Sequence, residues 1–436
     1  MINKLRNIIL IFAVLFQSCS LHDTAGFWSS DEKAKIDEIK SQPLFKDSAV
    51  KMSEFNIDVL LDFEGIQKNI NENQFFDNND GLVRGINSIE KFSKYKISKN
   101  KNLKLSEPDL VFDADHIIFF DNKGSLLKFS RDLKLLWKVN IYNKNEKKIE
   151  PSLFMEKKDG FLYVADNLSK IYKINIDSGD LIWVNDHKFP FKSEIKIVRE
   201  KIYVVDANNT INCFSILDGK KIWSYTTEET FISSSKRLSV IIYEENVIFN
   251  NSFGDIYALN LESGILDWQL STHKKSNNIT DMIDLKYSDL IYQNDSIYVS
   301  NNKGNFYSID LNSGIIKWAQ NIKSNVKPLI FEKWIITFTN NGNLVFLDKN
   351  KGNIIKIVNI SKNIKTKKNE TLEISGFISN LDNIYATTNL GHLLKIESAS
   401  GKLEKIIRVS KRYLSRPFYN NQNIYLVSDN AVIRFN

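Results

Sequence analysis

The chain repeats one pattern of apolar and polar positions eight times. Each copy has an apolar, β-branched and aromatic run, a cluster of Asn, Asp or Gly, and a second apolar run, as in HIIFFDNKGSLLKFS at residues 116–130. Such runs on either side of a turn-forming cluster are typical of a β-hairpin. The copies begin 38 to 50 residues apart, at residues 116, 161, 201, 246, 296, 334, 383 and 423. The sequence therefore predicts a repeated unit built on a hairpin.

A shorter apolar stretch precedes each hairpin, as in KPLIFE at residues 327–332, and a further strand follows in most units. Each unit therefore has four strands. Eight four-stranded units with this period indicate an all-β fold, an eight-bladed β-propeller. Each blade cannot bury both of its faces alone, so the blades are expected to pack against one another around a ring.

A tryptophan follows the second turn of five units, as in LNLESGILDWQL at residues 259–270. It stands four residues after the turn glycine, and a large indole on an outer strand can bury much area against the adjacent blade. We therefore expect these tryptophans to fasten blade to blade rather than to bind a cofactor. These tryptophans, here called the docking tryptophans, are Trp137, Trp183, Trp223, Trp268 and Trp318. Leu133 replaces the glycine in the first unit, and Lys356 and Lys405 replace the tryptophan in the sixth and seventh.

The eighth hairpin ends the chain, so its blade lacks an outer strand. The stretch IEKFSKYKIS at residues 89–98 lies before the first blade and has the pattern of a strand. We predict that it supplies the missing strand, with Phe92 at about the position of the tryptophans. Closing the ring in this way also removes the open sheet edges that invite aggregation.

The beginning of the chain has the pattern of an export signal. Two basic residues precede the apolar run 8–16, which is too short for a bilayer core that needs about twenty residues. The following FQSC, residues 16–19, resembles the lipobox of bacterial lipoproteins, although that motif prefers Leu at its first position. The resemblance implies that residues 1–18 are removed as a signal peptide, that Cys19 is acylated, and, with Ser20 rather than Asp next, that the protein is sorted to the outer membrane. A plain signal peptide with an incidental cysteine is the alternative.

The rest of the chain is predicted to have two parts. Residues 19–88 lack the repeat and are expected to be a lipid-anchored tether, partly disordered, with a short helix over residues 29–42. Residues 89–436 carry the repeats and are expected to form the propeller.

Composition and motifs narrow the range of functions. The 59 basic and 52 acidic residues are intermixed and give a net charge of +7, which argues against a nucleic-acid binder. Cys19 and Cys213 form no disulfide framework, and Cys213 is most simply a small buried residue. The five histidines are dispersed, and no phosphate loop, G-x-S-x-G or H-E-x-x-H motif occurs. We therefore predict no catalytic residues, no cofactor and no metal site.

The phrase Asp/Glu-Ser-Gly-x-x-x-Trp, repeated around eight blades, resembles the docking repeat of the quinoprotein-like propellers. One branch of that superfamily contains the pyrroloquinoline-quinone dehydrogenases, whose adjacent cysteines and calcium ligands have no counterpart in this sequence. The other is the BamB family, lipoproteins of the β-barrel assembly machinery of the outer membrane. The resemblance covers about residues 89–436, and the lipobox matches the BamB family separately. It implies a non-enzymatic scaffold on the periplasmic side of the outer membrane that binds the periplasmic domains of a BamA-type insertase.

The resemblance also implies a contact surface on two neighbouring inter-blade loops. The first is EETFISSSKRLS, residues 228–239, which follows Trp223. Phe231 and Ile232 match the apolar anchors of the family, and Arg237 or Lys236 would supply its cation. Apolar anchors with charges around them are what a small interface requires. The alternative is that Phe231 and Ile232 pack under their own blade.

The second loop is TDMIDLKYSD, residues 280–289, which follows Trp268. The family carries two acids in a D-x-D pattern there. Asp284 matches the first acid, but Lys286 stands in place of the second, and Asp281 is the residue that would compensate.

Two other functions stay open at this point. A quinoprotein-type dehydrogenase with displaced ligands would oxidise alcohols with a quinone. A periplasmic propeller that binds glycan or cell wall would have exposed aromatic residues at one mouth of the ring. Trp334 lies outside the docking register and is the candidate for such a role, with packing at the start of a strand as the alternative.

Overall fold

The eight repeated units form the eight blades of a propeller in the computed structural model of the chain. The structure describes residues 53–63, 74–101, 103–228, 234–272, 285–367 and 370–435. Each blade is a four-stranded antiparallel sheet, and in seven of them the strands follow one another in chain order from the ring axis outward. The predicted all-β, eight-bladed fold is thereby confirmed.

The strands are numbered in chain order. The outer strand of blade 8 is β1 (Phe92–Lys96). Blade 1 contains β2 (Val111–Asp113), β3 (His116–Phe120), β4 (Leu126–Phe129) and β5 (Leu135–Val139), and blade 2 contains β6 (Leu153–Lys158), β7 (Phe161–Asp166), β8 (Lys170–Asn175) and β9 (Leu181–Asp186). Blade 3 contains β10 (Lys196–Val198), β11 (Lys201–Val205), β12 (Thr210–Ser215) and β13 (Lys221–Thr226), and blade 4 contains β14 (Val240–Tyr243), β15 (Asn246–Asn250), β16 (Ile256–Asn260) and β17 (Leu266–Leu270).

Blade 5 contains β18 (Ile291–Gln293), β19 (Ser296–Ser300), β20 (Phe306–Asp310) and β21 (Ile316–Gln320), and blade 6 contains β22 (Leu329–Ile330), β23 (Trp334–Phe338), β24 (Asn343–Asp348) and β25 (Ile354–Asn359). Blade 7 contains β26 (Ile374–Ser379), β27 (Asn383–Thr388), β28 (His392–Glu397) and β29 (Leu403–Arg408). Blade 8 combines β1 with β30 (Phe418–Asn420), β31 (Asn423–Ser428) and β32 (Ala431–Phe435). The described helices are short: α1 (Gln74–Asp77), α2 (Leu103–Ser106), and 3₁₀ turns at Glu146–Ile149 and Ser361–Asn363.

The burial of each strand follows from its place in the blade. A middle strand such as β11 is packed on both faces by neighbouring blades, so four of its five residues are buried. That is why the middle strands are continuous apolar runs. An outer strand such as β13 alternates between half-buried and exposed residues, because only one of its faces meets a neighbour. The core is therefore a set of apolar layers between blades.

The outer strand of blade 8 comes from before the first blade, as predicted. β1 pairs antiparallel with β32, and Phe92 lies opposite Phe435 with ring centroids 5.4 Å apart. This pairing joins the two ends of the propeller in one sheet, and the predicted ring closure is confirmed.

The register of this strand differs by one residue from the expected one. In blade 3 the docking Trp223 pairs with Cys213, and the corresponding residue of β32 is Arg434. Arg434 pairs with Ser93 rather than with Phe92. Its guanidinium donates to Asp132 at 2.7 Å, so an ion pair joins blade 8 to blade 1 where an indole joins other blades.

Each docking tryptophan lies against the turn glycine of the next blade. The indole N–H of Trp223 donates to the carbonyl of Leu261 at 3.1 Å, and its ring covers Gly264. Gly264 has φ +68°, and a Cβ there would lie 2.6 Å from the ring, so this turn requires glycine. The same contact of the ring with a glycine joins Trp137 with Gly179, Trp183 with Gly219, Trp268 with Gly314, and Trp318 with Gly352.

Residues 53–63 lie along the outer strand of blade 6, in a region that the sequence assigned to a tether. Phe55 and Ile357 of β25 exchange backbone hydrogen bonds of 3.1 and 3.0 Å. Further along, the backbone N–H of Leu61 donates to the carbonyl of Ala399 in blade 7 at 3.0 Å. This segment thus spans two blades between which the docking tryptophan is missing.

The lysine that replaces that tryptophan binds this segment. Lys356 is fully buried, and its ammonium donates to the carbonyls of Ile57, at 2.9 Å, and Val59. Lys405, the equivalent residue of blade 7, is exposed. A buried ammonium needs such acceptors because losing its hydration is costly.

Residues before the predicted boundary at residue 89 thus already belong to the compact unit that contains the blades. Residues 81–83 also lie beside the last residue of β26, the inner strand of blade 7. The backbone N–H of Val83 donates to the carbonyl of Ser379 there, at 2.8 Å. The absence of the repeat suggested a free tether, but backbone and ammonium groups of the blades bind these residues, and Leu61 and Leu82 are buried. The helix predicted over residues 29–42 lies outside the described residues.

Replacing Lys356 by methionine should lower the free energy of unfolding by about 1–3 kcal/mol, because the carbonyls of Ile57 and Val59 lose the ammonium that joins residues 53–63 to blade 6. It should also make the chain near residues 53–63 easier to cleave. Urea unfolding and limited trypsin digestion of the same samples check both effects. Lys405→Met is the matched control, and an equal loss of stability in that variant would contradict the assignment.

Candidate partner-binding face

The two loops predicted to contact a partner lie on one face of the ring and next to each other. The first joins β13 to β14 and the second joins β17 to β18, so each connects an outer strand to the next inner strand. Phe231, Ile232, Asp281 and Asp284 all lie outside the described residues. Their contact role stays a prediction.

The described ends of both loops are buried and hydrogen-bonded. In the first loop, the backbone N–H of Leu238 donates to the carbonyl of Lys192 at 2.9 Å. In the second, the hydroxyls of Thr272 and Tyr287 lie 2.8 Å apart and join the two ends of the loop. Lys286 stands directly before Tyr287, and its backbone N–H donates to the side-chain oxygen of Asn302 at 2.9 Å. Both loops therefore extend from fixed stems.

The two cations predicted on the first loop are not at its surface. The ammonium of Lys236 is buried, donates to the carbonyl of Asn325 at 2.6 Å, and lies 3.3 Å from Glu107. The side chain of Arg237 is 2 % exposed, and its two terminal nitrogens lie 2.6 Å from Asp109 and 2.9 Å from Asp289. Both residues bind within the chain, so any influence on a partner would act through the position of the loop.

Arg237 belongs to a larger ion-pair cluster on the ring axis. Asp109 accepts from Arg237 and, at 2.8 Å, from Arg416 of blade 8. Burial alone would raise the pKa of Asp109, but the two guanidiniums outweigh it and hold that pKa well below its usual range. Burial likewise opposes ionisation of Asp289, and Arg237 again lowers the net pKa. These shifts favour the charged form of both carboxylates at neutral pH.

A pattern in the sequence marks these axial charges. A charged residue stands directly before the apolar start of several inner-strand segments. The pairs are Asp109-Leu110, Glu194-Ile195, Arg237-Leu238 and Asp289-Leu290. Because the inner strands surround the axis, a charge repeated at that position places the side chains close together. Their pairing could not be inferred, since the partners come from different blades.

A cavity of about 230 Å³ lies between the stems of the two loops and the connection that contains α2. The first loop contributes Ser235 and Lys236, and the second contributes Lys286. Leu105 of α2 is 53 % exposed at its edge, beside the ion pair of Lys104 with Glu373. This face thus presents an apolar side chain among charges of both signs. Such a combination is typical of a surface that binds another protein rather than a small anion.

The remaining candidates have structural surroundings. Trp334 is half-buried, and its indole N–H donates to the carbonyl of Asp62 at 3.1 Å, so it contacts the N-terminal segment. Cys213 is fully buried in blade 3. Across the residues that the structure describes, no three His, Cys, Asp or Glu side chains form a group that could hold a metal ion. The described helices also include none that is long and apolar enough to cross a membrane.

Comparison with known proteins gives a family match in sequence. The family model described as outer membrane protein assembly factor BamB matches residues 114–358, which is more than half of the chain. No curated protein matches the chain in sequence.

Solved structures share the propeller fold at low sequence identity. The crystal structure of BamB from Moraxella catarrhalis aligns with a TM-score of 0.63 and 14% identity, over 78% of this chain and 99% of that one. A quinohemoprotein alcohol dehydrogenase from Pseudomonas putida HK5 aligns with a TM-score of 0.60 and 10% identity, over 82% of this chain and 78% of that one. The designed protein Ika8 aligns with a TM-score of 0.58 and 10% identity, over 78% and 99%. At these identities the likeness concerns the fold alone.

Proposed function

The chain belongs to the family of the outer membrane protein assembly factor BamB, and we propose that it is a non-enzymatic scaffold of outer-membrane β-barrel assembly. In this proposal the propeller binds the periplasmic domains of a BamA-type insertase and assists the insertion of outer-membrane proteins. Acylated Cys19 anchors it to the periplasmic side of the outer membrane. The observation that carries the proposal is the family match over residues 114–358.

The geometry of the loop face supports the same proposal. The loops that carry Phe231, Ile232 and Asp284 leave fixed, neighbouring stems, so their tips can contact one partner together. An apolar anchor with a charged surround can supply most of the energy of a small interface. Since Arg237 and Lys236 are bound within the chain, the proposed contact set is reduced to the two apolar residues and Asp284, with exposed Leu105 beside them.

The residues that lie on the ring axis favour a scaffold function over an enzymatic one. Residues 77–80 of the chain itself lie on the axis among the charged side chains of the inner strands, as in the bond from Asn78 to Glu194. A small-molecule substrate or cofactor on the axis would have to share that space. The alcohol dehydrogenase likeness supports the fold alone, and quinone-dependent alcohol oxidation is the assay that would reveal an enzyme.

We expect the tagged full-length chain to capture a large outer-membrane barrel protein with periplasmic domains from detergent-solubilised envelopes. The double variant Phe231→Ala/Ile232→Ala should reduce that capture at least about tenfold, since loss of two apolar anchors commonly costs more than 1.4 kcal/mol. Quantitative mass spectrometry of the captured proteins checks the result.

The matched control is Leu217→Ala/Ile265→Ala, which truncates two exposed apolar residues of the second turns, at the opposite ends of the outer strands. This control should capture as much as the original chain. Capture that survives the loop variant would refute the loop assignment but leave the scaffold function. If the original chain captures no barrel protein, the scaffold proposal itself fails, and binding to peptidoglycan should be measured next.

A further inference from the structure

Residues 77–80, here called the axial segment, are bound in the middle of the ring. Asn78 is 3 % exposed, and its amide donates to Glu194 at 2.8 Å and to the carbonyl of Leu290 at 3.0 Å. Its carbonyl oxygen accepts a hydrogen bond from buried Lys196. Asn79 reaches a further blade through the carbonyl of Ile330 at 3.3 Å. The axial segment therefore contacts several blades at once.

Asp80 brings a carboxylate between two cations that belong to the blades. It pairs with the ammonium of Lys327, at the entrance to blade 6, and both terminal nitrogens of Arg416, before blade 8, lie 3.3 Å from its second oxygen. Arg416 also pairs with Asp109, so this guanidinium bridges two carboxylates. Lys327 and Arg416 thus approach a single carboxylate from two sides of the ring.

The space around this pair of cations is large enough for a small anion to enter. A cavity of about 210 Å³ is lined by Asp80, Lys196, Lys327 and Arg416, and one of about 350 Å³ lies on the side of Arg416 and Tyr419. Both exceed the roughly 30 Å³ that one water molecule takes in the liquid. Removal of the Asp80 side chain would enlarge this space directly between the two cations.

We propose that Lys327 and Arg416 form a carboxylate-binding site on the ring axis, and that Asp80 is its resident ligand in cis. The two cations belong to the repeat region, whereas the carboxylate comes from a segment outside it, so the ring recognises its own N-terminal segment as a ligand. Occupancy by Asp80 fixes that segment on the axis and excludes other carboxylates. The site is independent of the proposed scaffold function.

The test is chemical rescue in the full-length chain. Asp80→Ala should lower the Tm by at least about 3 °C, since it leaves two cations whose side chains are only 12 % and 20 % exposed short of a partner. Sodium acetate, which supplies the carboxylate that the variant lacks, should restore at least half of that loss relative to sodium chloride at equal ionic strength. The Tm difference of the original chain between the two salts gives the general effect of acetate, and the recovery is counted in excess of it.

Asp80→Asn is the matched control, because its uncharged amide occupies the position between the two cations that the carboxylate of acetate would have to take. It should lose stability without any recovery specific to acetate. A second control, Asp132→Ala, removes an exposed carboxylate from Arg434 and should show no more difference between the salts than the original chain does.

Three results would overturn the proposal: no loss of Tm in Asp80→Ala, equal recovery in acetate and chloride, or equal acetate recovery in Asp80→Asn. If Asp80→Ala does not fold in chloride, the refolding yield in the two salts becomes the measurement. A higher yield in acetate than in chloride supports the site, and equal yields overturn it.

Discussion

Replacing Arg237 by methionine should lower the free energy of unfolding by about 3–5 kcal/mol, the range for a broken buried ion pair. The guanidinium is buried and lies within 2.9 Å of carboxylate oxygens of both Asp109 and Asp289. Methionine fills much of the volume but leaves those carboxylates on the axis without that cation. Urea unfolding at neutral pH, followed by tryptophan fluorescence, measures the loss.

Arg412→Met is the matched control for this prediction. Arg412 pairs with Asp429 at 3.4 Å, but its side chain is 62 % exposed, so the change should cost less than about 1 kcal/mol. Equal stability of the Arg237 and Arg412 variants would show that the axial pairs contribute little. For this reason Arg237 is unsuitable as a binding-site mutation: loss of partner capture in such a variant would report unfolding.

Replacing Trp268 by alanine should also cost about 3–5 kcal/mol, the range for truncation of a large buried aromatic residue. Trp268 is 8 % exposed, and its ring covers Gly314 at the turn of blade 5. The truncation leaves a cavity at the boundary of blades 4 and 5, which the stiff sheets can fill only in part. Chemical unfolding monitored by far-ultraviolet circular dichroism checks the value.

Trp268→Phe separates the packing of the ring from other effects. Phenylalanine keeps an aromatic ring near the turn, so this variant should lose clearly less stability than the alanine variant. If both variants unfold with the original midpoint, the indole is not a fastener between blades, and its contact with Gly314 contributes little to stability.

The sequence by itself determined the architecture of the propeller. Blade contacts are between neighbours, so every blade needs two buried middle strands and a half-buried outer strand, and five of the boundaries add a turn glycine beneath an indole. A repeated local requirement appears as a repeated local sequence. The eight hairpins, the tryptophan set and the closing strand were predictable for that reason. The register of that strand was not, because Ser93 rather than Phe92 lies opposite Arg434.

Only the tertiary structure decided what lies on the axis and along blade 6. Asp80, Asp109, Arg237 and Arg416 are far apart in sequence, and no local pattern records which carboxylate meets which cation. The same limit applies to residues 53–63, whose carbonyls satisfy the buried ammonium of Lys356. They were assigned to a free tether because they lack the repeat, which records only contacts between neighbouring blades. Here the segment is held by backbone hydrogen bonds, by the ammonium of Lys356 and by burial of Leu61, and no repeated pattern encodes such contacts.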